Sequence, residues 1–296
     1  MSSNSSLPEE RETPVEQGET NSGTVSGARA ALGLLFPGLT GPDGAGSSRA
    51  IHWLVPAGLL MGLAYAALYR GCWRVFGEVA GVRLLPAVVV WLLDAALLGL
   101  PMFVGAARVG DCWGRPHLLD DAADGRQLGV AGVFILVVLL VLKLALWTAL
   151  PEGILGWPTD WRRHFNFLYP RPVFRPLILA PLWGRWALML AGSIGRTAPM
   201  QDRPILGRAG GASPVRLLGW FLFNLVMTAV YCGRHGRWMI GCIIGLVVLG
   251  VTFLFSVVVA RRFRGQTRST VYAAAGLGEI VFLVAYLAFS QRIYRY

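Results

Sequence analysis

Residues 118–147 read LLDDAADGRQLGVAGVFILVVLLVLKLALW. Three acids, Asp120, Asp121 and Asp124, stand with Arg126 ahead of an apolar run that meets no charge until Lys143. An α-helix needs roughly 20 apolar residues to cross the hydrocarbon core of a bilayer. The stretch therefore predicts a transmembrane helix over residues 130–150, with a polar loop ahead of it. Outward from this span, further apolar segments fall at residues 51–69, 84–104, 174–194, 215–231, 239–259 and 271–289. The predicted fold is an all-α, polytopic membrane protein of about seven transmembrane helices. Its fifth span is short and its fourth is interrupted by proline. The composition agrees: 55% hydrophobic residues, 15% charged residues and a mean hydropathy of +0.55 exclude a soluble domain.

The first residues are of another kind. Glu9, Glu10, Glu12, Glu16 and Glu19 face one basic residue, Arg11, in a Ser-, Gly- and Thr-rich stretch. Such a segment buries too little apolar surface to fold, so residues 1–28 read as a disordered acidic tail and 29–296 as the membrane domain. No apolar core follows a basic start at Met1. Signal-peptide cleavage is therefore not expected, and the first span acts as the insertion signal.

The net charge of +11 is almost all arginine, since Lys143 is the only lysine. It places Arg-rich loops against anionic lipid or a phosphorylated substrate. Nucleic acid is not an expected partner, because no basic helix or aromatic-interleaved platform stands clear of the membrane. A slight excess of arginine puts the N-terminus and the loops around residues 111–126, 196–216 and 261–268 on the cytoplasmic side. Those three loops share one face in a seven-span arrangement. Cys72, Cys112, Cys232 and Cys242 have no metal-ligand spacing and read as small apolar residues. The aromatic residues between Trp157 and Tyr169 read as an interfacial belt, and His235 as part of a basic interfacial turn.

Charge inside the spans is costly and marks polar contacts or function. Asp94 and Lys143 are expected to pair if their helices touch. Arg185 either meets a phosphate through its planar fork of donors or snorkels from the fourth span. On a helix, Asp120 and Asp124 would share a face one turn apart. With water and phosphate oxygens that pair suits Mg²⁺, although the same acids also fit a hydrated loop offsetting nearby arginine.

Residues 261–283, RRFRGQTRSTVYAAAGLGEIVFL, close a basic loop on Gly265-Gln266-Thr267 and enter a helix carrying one acid, Glu279. This resembles the C-terminal signature of the cobalamin-5′-phosphate synthase family, the adenosylcobinamide-GDP ribazoletransferases. Gly265, Thr267, Ala273 and Glu279 fall in register with GGxTGDxxGAxxExxE. Ser269 stands where the family has Asp, and Gly276 where it has the first Glu. A single Glu does not hold Mg²⁺ unaided. Asp124 to Gly129, leading to Lys143-Leu144-Ala145, is similar to the family's D-x-R-x-G segment and its KLA span, with one residue inserted. The family's acidic run falls by spacing within residues 98–111, which carry only Asp111; a second alignment sets a compressed version of it at His117–Gly125, but the KLA span fits the first better. Residues 55–62, VPAGLLMG, and 179–187, LAPLWGRWA, resemble two further spans.

The resemblance implies a Mg²⁺-dependent transferase of a phosphorus-containing group in the cell inner membrane. It joins adenosylcobinamide-GDP to α-ribazole or its 5′-phosphate and releases GMP, in the last steps of cobalamin biosynthesis. The implied partners are the bilayer, the corrinoid nucleotide and the α-ribazole substrates, with a homo-oligomer or other corrinoid-pathway enzymes beside them. The implied metal ligands are Asp120, Asp121, Asp124 and Glu279. Asp124, Arg126 and Arg185 carry the reaction, with Arg126, Arg185 and Arg268 on phosphate. Gln266 and Thr267 orient the substrate or shape the turn. Two alternatives stand beside it: a catalytically degenerate relative that binds a corrinoid or acts as a scaffold, and a small transporter whose path is lined by Asp94, Lys143 and Arg185. No internal repeat supports the transporter.

Overall fold

The computed structural model describes residues 51–76, 84–96, 100–114, 128–150, 173–195, 212–232 and 238–294. The acidic tail, the aromatic loop, the turn bearing His235, and Asp120, Asp121, Asp124 and Arg126 lie outside these residues. The described chain is built from helices: α1 Ile51–Phe76, α2 Leu84–Asp94, α3 Leu100–Asp111, α4 Val130–Thr148, α5 Phe174–Ser193, α6 Pro214–Cys232, α7 Trp238–Arg262 and α8 Arg268–Tyr294. Of these, α1, α4, α6, α7 and α8 are long and apolar enough to cross a membrane. The all-α polytopic fold is as expected.

The span expected at residues 84–104 is helical on both sides of residues 97–99, which lie outside the described residues. Helix α2 passes into a wide π-type turn at residues 95–96, and α3 is described from Leu100.

Helix α5 is the central post. Every side chain from Arg175 to Ala191 is buried, and the helix continues through Pro181 without interruption. It packs against α1, α6, α7 and α8, while α8 also contacts α3, α4 and α7. Because its surroundings are protein, α5 tolerates Gly, Pro and Arg that a lipid-facing helix would not. The seam with α1 is made by small residues. A Cβ on Gly62 would lie 2.5 Å from the Ile178 backbone, and one on Gly58 would lie 2.8 Å from Arg185 Cγ. The close approach expected of VPAGLLMG is therefore present. Trp183 Nε1 donates to Thr228 Oγ1 at 3.0 Å, and Trp186 Nε1 donates to the Leu217 carbonyl at 3.1 Å; these two bonds tie α5 to α6. At the periphery, α4 buries Gly132, Lys143 and Trp147 and turns most of its other side chains outward.

The ends of three connections meet at one end of the bundle. Arg262 Nη2 donates to the Trp113 carbonyl at 3.1 Å, joining the end of α7 to the end of α3. Asp111 accepts from the Gly129 and Gly132 amides at 2.8 and 3.2 Å, holding the start of α4 to the same place. A Cβ built on Gly195, after α5, would lie 3.3 Å from Ala260 Cβ, and Ser193 Oγ accepts from the Ala212 amide at 3.1 Å. The three loops expected to share a face do so at their described ends.

Candidate active site

The turn between α7 and α8 is built by the residues of the GQT motif themselves. Arg264 takes a left-handed conformation at φ 55°, and the Gly265 amide donates back to the Ala260 carbonyl at 2.9 Å, closing α7 in a Schellman-type end. Thr267 then caps α8. Its amide donates to Thr270 Oγ1 at 2.8 Å, and the Thr270 amide donates to Thr267 Oγ1 at 3.3 Å, a reciprocal capping box. Gln266 Oε1 accepts from the Thr270 hydroxyl at 2.7 Å, while Gln266 Nε2 donates to the Ser256 carbonyl at 3.0 Å. Gln266 and Thr267 are buried with these groups engaged inside the protein. Of their two expected roles, the geometry accounts for shaping the turn. Arg268 lies at the loop end of α8, its guanidinium 5.6 Å from the Tyr272 ring centre.

Deeper in the bundle lies a cluster of four charges. Glu279 is about 16 Å along α8 from its first residue, and Arg185 about 12 Å from the loop end of α5, at 1.5 Å per residue. Lys143 Nζ donates to Asp94 Oδ2 and to Glu279 Oε2, each at 2.6 Å. Tyr65 donates its hydroxyl to Asp94 Oδ1 at 2.8 Å. Arg185 Nη1 stands 3.9 Å from Glu279 Oε1. Its nearer contacts are soft ones, Met102 Sδ at 3.7 Å from Nη1 and Met61 Sδ at 3.6 Å from Nη2. The Arg185 Nε has no hydrogen-bond partner among the described residues. All four charged residues are at most 2% exposed. Two acids and two bases make the cluster neutral, which permits such burial at this depth.

Several neighbours make the cluster fit. Gly184 leaves room for Glu279: a Cβ there would lie 2.4 Å from Glu279 Cγ. The rings of Phe103 and Trp147 flank the ammonium, with centres 5.2 and 5.9 Å from Nζ. The expected Asp94–Lys143 pair is thus present, with Glu279 as a third member and Arg185 a fourth. Lys143 joins Asp94 to Glu279, and Arg185 stands beside Glu279. Tyr65, Phe103, Met102 and Gly184 carried no signal in the sequence, since each is an ordinary apolar or small residue of a span.

The expected metal set is only partly described. Glu279 belongs to it, and its Oε2 is taken by Lys143. Among the described residues, no group of three or more His, Cys, Asp or Glu is placed to hold a metal ion. They do not fit a divalent cation by themselves. The segment in which the family's acids were expected forms α3. Met102, Phe103 and Gly105 of that helix lie against Arg185, Lys143 and the start of α8, a Cβ on Gly105 falling 2.6 Å from the Ser269 carbonyl. A Cβ built on Gly276 would lie 3.4 Å from Met102 Cβ, an ordinary contact distance. Asp111, the one acid of the segment, caps α4.

The sequence model of one family, described as Cobalamin-5-phosphate synthase, matches residues 36–287 of this chain. Among its relatives, a protein named adenosylcobinamide-GDP ribazoletransferase of Pseudomonas entomophila strain L48 is 29% identical over 262 residues, spanning 86% of this chain and 93% of that protein. The protein of the same name from Pseudomonas putida strain F1 is 28% identical over 257 residues, spanning 85% of this chain and 91% of that one. No solved structure matches the chain.

Proposed function

The chain belongs to the cobalamin-5-phosphate synthase family, and from that premise we propose that it is an adenosylcobinamide-GDP ribazoletransferase of the cell inner membrane. In this reading a ribose hydroxyl of α-ribazole, or of its 5′-phosphate, attacks the phosphorus attached to cobinamide. The bond from that phosphorus to the GMP oxygen breaks, GMP leaves, and the hydroxyl proton passes to solvent. The observation that carries the reading is the meeting of three loop ends on one face, where Arg262 holds the Trp113 carbonyl and Asp111 holds the start of α4. That arrangement supports placing the segment bearing Asp124 and Arg126 beside the turn bearing Arg268, on the side taken as cytoplasmic.

Within the proposal, Arg126 and Arg268 hold the diphosphate, whose charge suits their planar donors. Arg185, with Nε unpartnered among the described residues, is the deep cation of the site. Asp120, Asp121 and Asp124 would hold Mg²⁺, which would supply neutralisation of the diphosphate charge. The test is GMP release by the purified protein in liposomes given adenosylcobinamide-GDP and α-ribazole 5′-phosphate, with and without Mg²⁺. Turnover that depends on Mg²⁺ and is lost in Asp124→Asn is expected. Turnover unchanged in that variant would remove Asp124 from the mechanism.

A second reading rests on a specific observation. Helix α3 meets α8 and the deep cations through Met102, Phe103 and Gly105, and both deep carboxylates are taken by Lys143. A seam so closed suits a relative that binds a corrinoid nucleotide without transferring it. Saturable binding of adenosylcobinamide-GDP with no GMP release, beside an active relative assayed in parallel, would select this reading.

A further inference from the structure

We propose that Arg108 is a further phosphate-binding residue, its guanidinium holding, together with Arg268, the diphosphate of the nucleotide substrate at the gathered end of the bundle. The identity of the ligand rests on the proposed transferase reading, which Arg108 extends by one residue. Near its end, α3 is packed on two sides. On one, a Cβ on Gly110 would meet the Ile135 side chain of α4, and a Cβ on Gly132 would lie 3.2 Å from the Ala107 carbonyl. On the other, Val109 and Cys112 pack with Val259, Phe263 and Ala273. Arg108 is half-buried and leaves the helix between these two seams, about 100° from Ala107 and from Val109. Its Nε is buried and has no hydrogen-bond partner among the described residues.

A donor removed from water without an acceptor is costly, so this edge suits a ligand that brings its own oxygens. Nε–H and a neighbouring Nη–H form the fork that takes two oxygens of one phosphate group. The nearest acid in sequence does not fill it, because Asp111 accepts from the Gly129 and Gly132 amides. Arg268 belongs to the same place. A Cβ on Gly105, one turn before Arg108, would lie 2.6 Å from the carbonyl of Ser269, the residue after Arg268. Both guanidiniums therefore start within about one helical turn of a single α3–α8 contact. Arg261, Arg262 and Arg264 add positive charge at this end, and α8 directs the positive end of its dipole toward it. A diphosphate offers one oxygen-bearing group to each of two forks. A phospholipid headgroup offers the same chemistry to one fork, so the test separates the two sources.

The test is binding rather than turnover. Full-length wild type, Arg108→Gln and Arg108→Lys are reconstituted in phosphatidylcholine liposomes. Co-sedimentation gives the Kd of adenosylcobinamide-GDP and of adenosylcobinamide, which lacks the diphosphate. Arg108→Gln is expected to weaken adenosylcobinamide-GDP about 10- to 100-fold and to leave adenosylcobinamide unchanged. Arg108→Lys keeps the charge without the fork and is expected to recover only part of that loss. An equal loss for both ligands would assign Arg108 a structural role, and an unchanged Kd for adenosylcobinamide-GDP would remove it from the site; either result overturns the proposal. Phospholipid retained by the detergent-purified proteins is measured in parallel. A lipid lost from Arg108→Gln while substrate affinity holds assigns the guanidinium to a headgroup and likewise overturns it. Where Arg108→Gln does not fold, Arg108→Lys decides alone: a selective loss for adenosylcobinamide-GDP supports the proposal and an unchanged Kd overturns it. Wild type that binds neither ligand brings down the transferase reading and this assignment with it, a result distinct from wild-type binding that Arg108→Gln leaves intact.

Discussion

At the scale of single residues, the four-charge core makes the sharpest demands. Lys143→Met leaves Asp94 and Glu279 with only Arg185 for compensation, whereas Asp94→Asn/Lys143→Met removes one charge of each sign. Breaking a buried ion pair from one side costs about 3–5 kcal/mol, because the surviving charge stays buried without its counter-charge. The double variant is accordingly expected to recover most of the stability lost in Lys143→Met. Unfolding in detergent micelles checks this, and a double variant no more stable than the single one would show that Asp94 and Lys143 are not coupled. Gly184→Ala probes the same core sterically. Its Cβ would fall 2.4 Å from Glu279 Cγ, so Glu279 must move off Lys143 at a cost of about 1–3 kcal/mol. Part of this core was legible in the sequence, because an acid and a lysine inside apolar spans demand partners. Arg185 was legible only as a choice between roles. Its contacts with the sulfurs of Met61 and Met102 come from helices distant in sequence, and no local pattern marks a methionine as a neighbour of a guanidinium.

At the scale of helices, the spans followed from hydropathy wherever a helix faces lipid, as α4, α6 and α7 do. Where a helix faces protein, hydropathy is a poorer guide. Helix α5 is enclosed along nearly its whole length, and its Pro and Arg residues lower its apolarity without preventing it from forming. Two substitutions with different surroundings test the α1–α5 seam. Gly62→Ala places a Cβ against the Ile178 backbone and is expected to destabilise by about 1–3 kcal/mol. Gly71→Ala, in the same helix, meets nothing within 4 Å and is expected to be neutral or stabilising by up to about 1 kcal/mol. Equal thermal shifts for the two variants would refute the close seam. At the other end of the bundle, Thr267→Ala removes a cap and is expected to cost about 1 kcal/mol. Substrate binding would be affected only as far as the α7–α8 turn loosens. A binding defect in a variant whose turn and stability are intact would instead return Thr267 to the substrate.

For the molecule as a whole, orientation follows from which ends share a face. Trp113 and Arg264 stand at the gathered end, while Val75 stands at the far end of α1 from Trp53. In a cysteine-free background, Trp113→Cys and Arg264→Cys should react with a membrane-impermeant maleimide from the same side. Labelling from opposite sides would contradict the meeting of α3 and α7 through Arg262 and Trp113. Sequence asymmetry alone set that side weakly, since arginine is spread over both sets of loops. The enclosure of α5 also bears on how the chain is made. During synthesis α5 emerges before α6, α7 and α8, carrying Arg185 and a proline into the bilayer while the carboxylate of Glu279 is still unmade. Lys143 waits too, for a partner 136 positions downstream. The core therefore reaches charge neutrality only when the last helix arrives. A nascent chain cut short before α8 leaves Asp94 to balance only one of the two cations, and the one unbalanced cation gives membrane proteases and chaperones a chemical mark that distinguishes unfinished chains from finished ones.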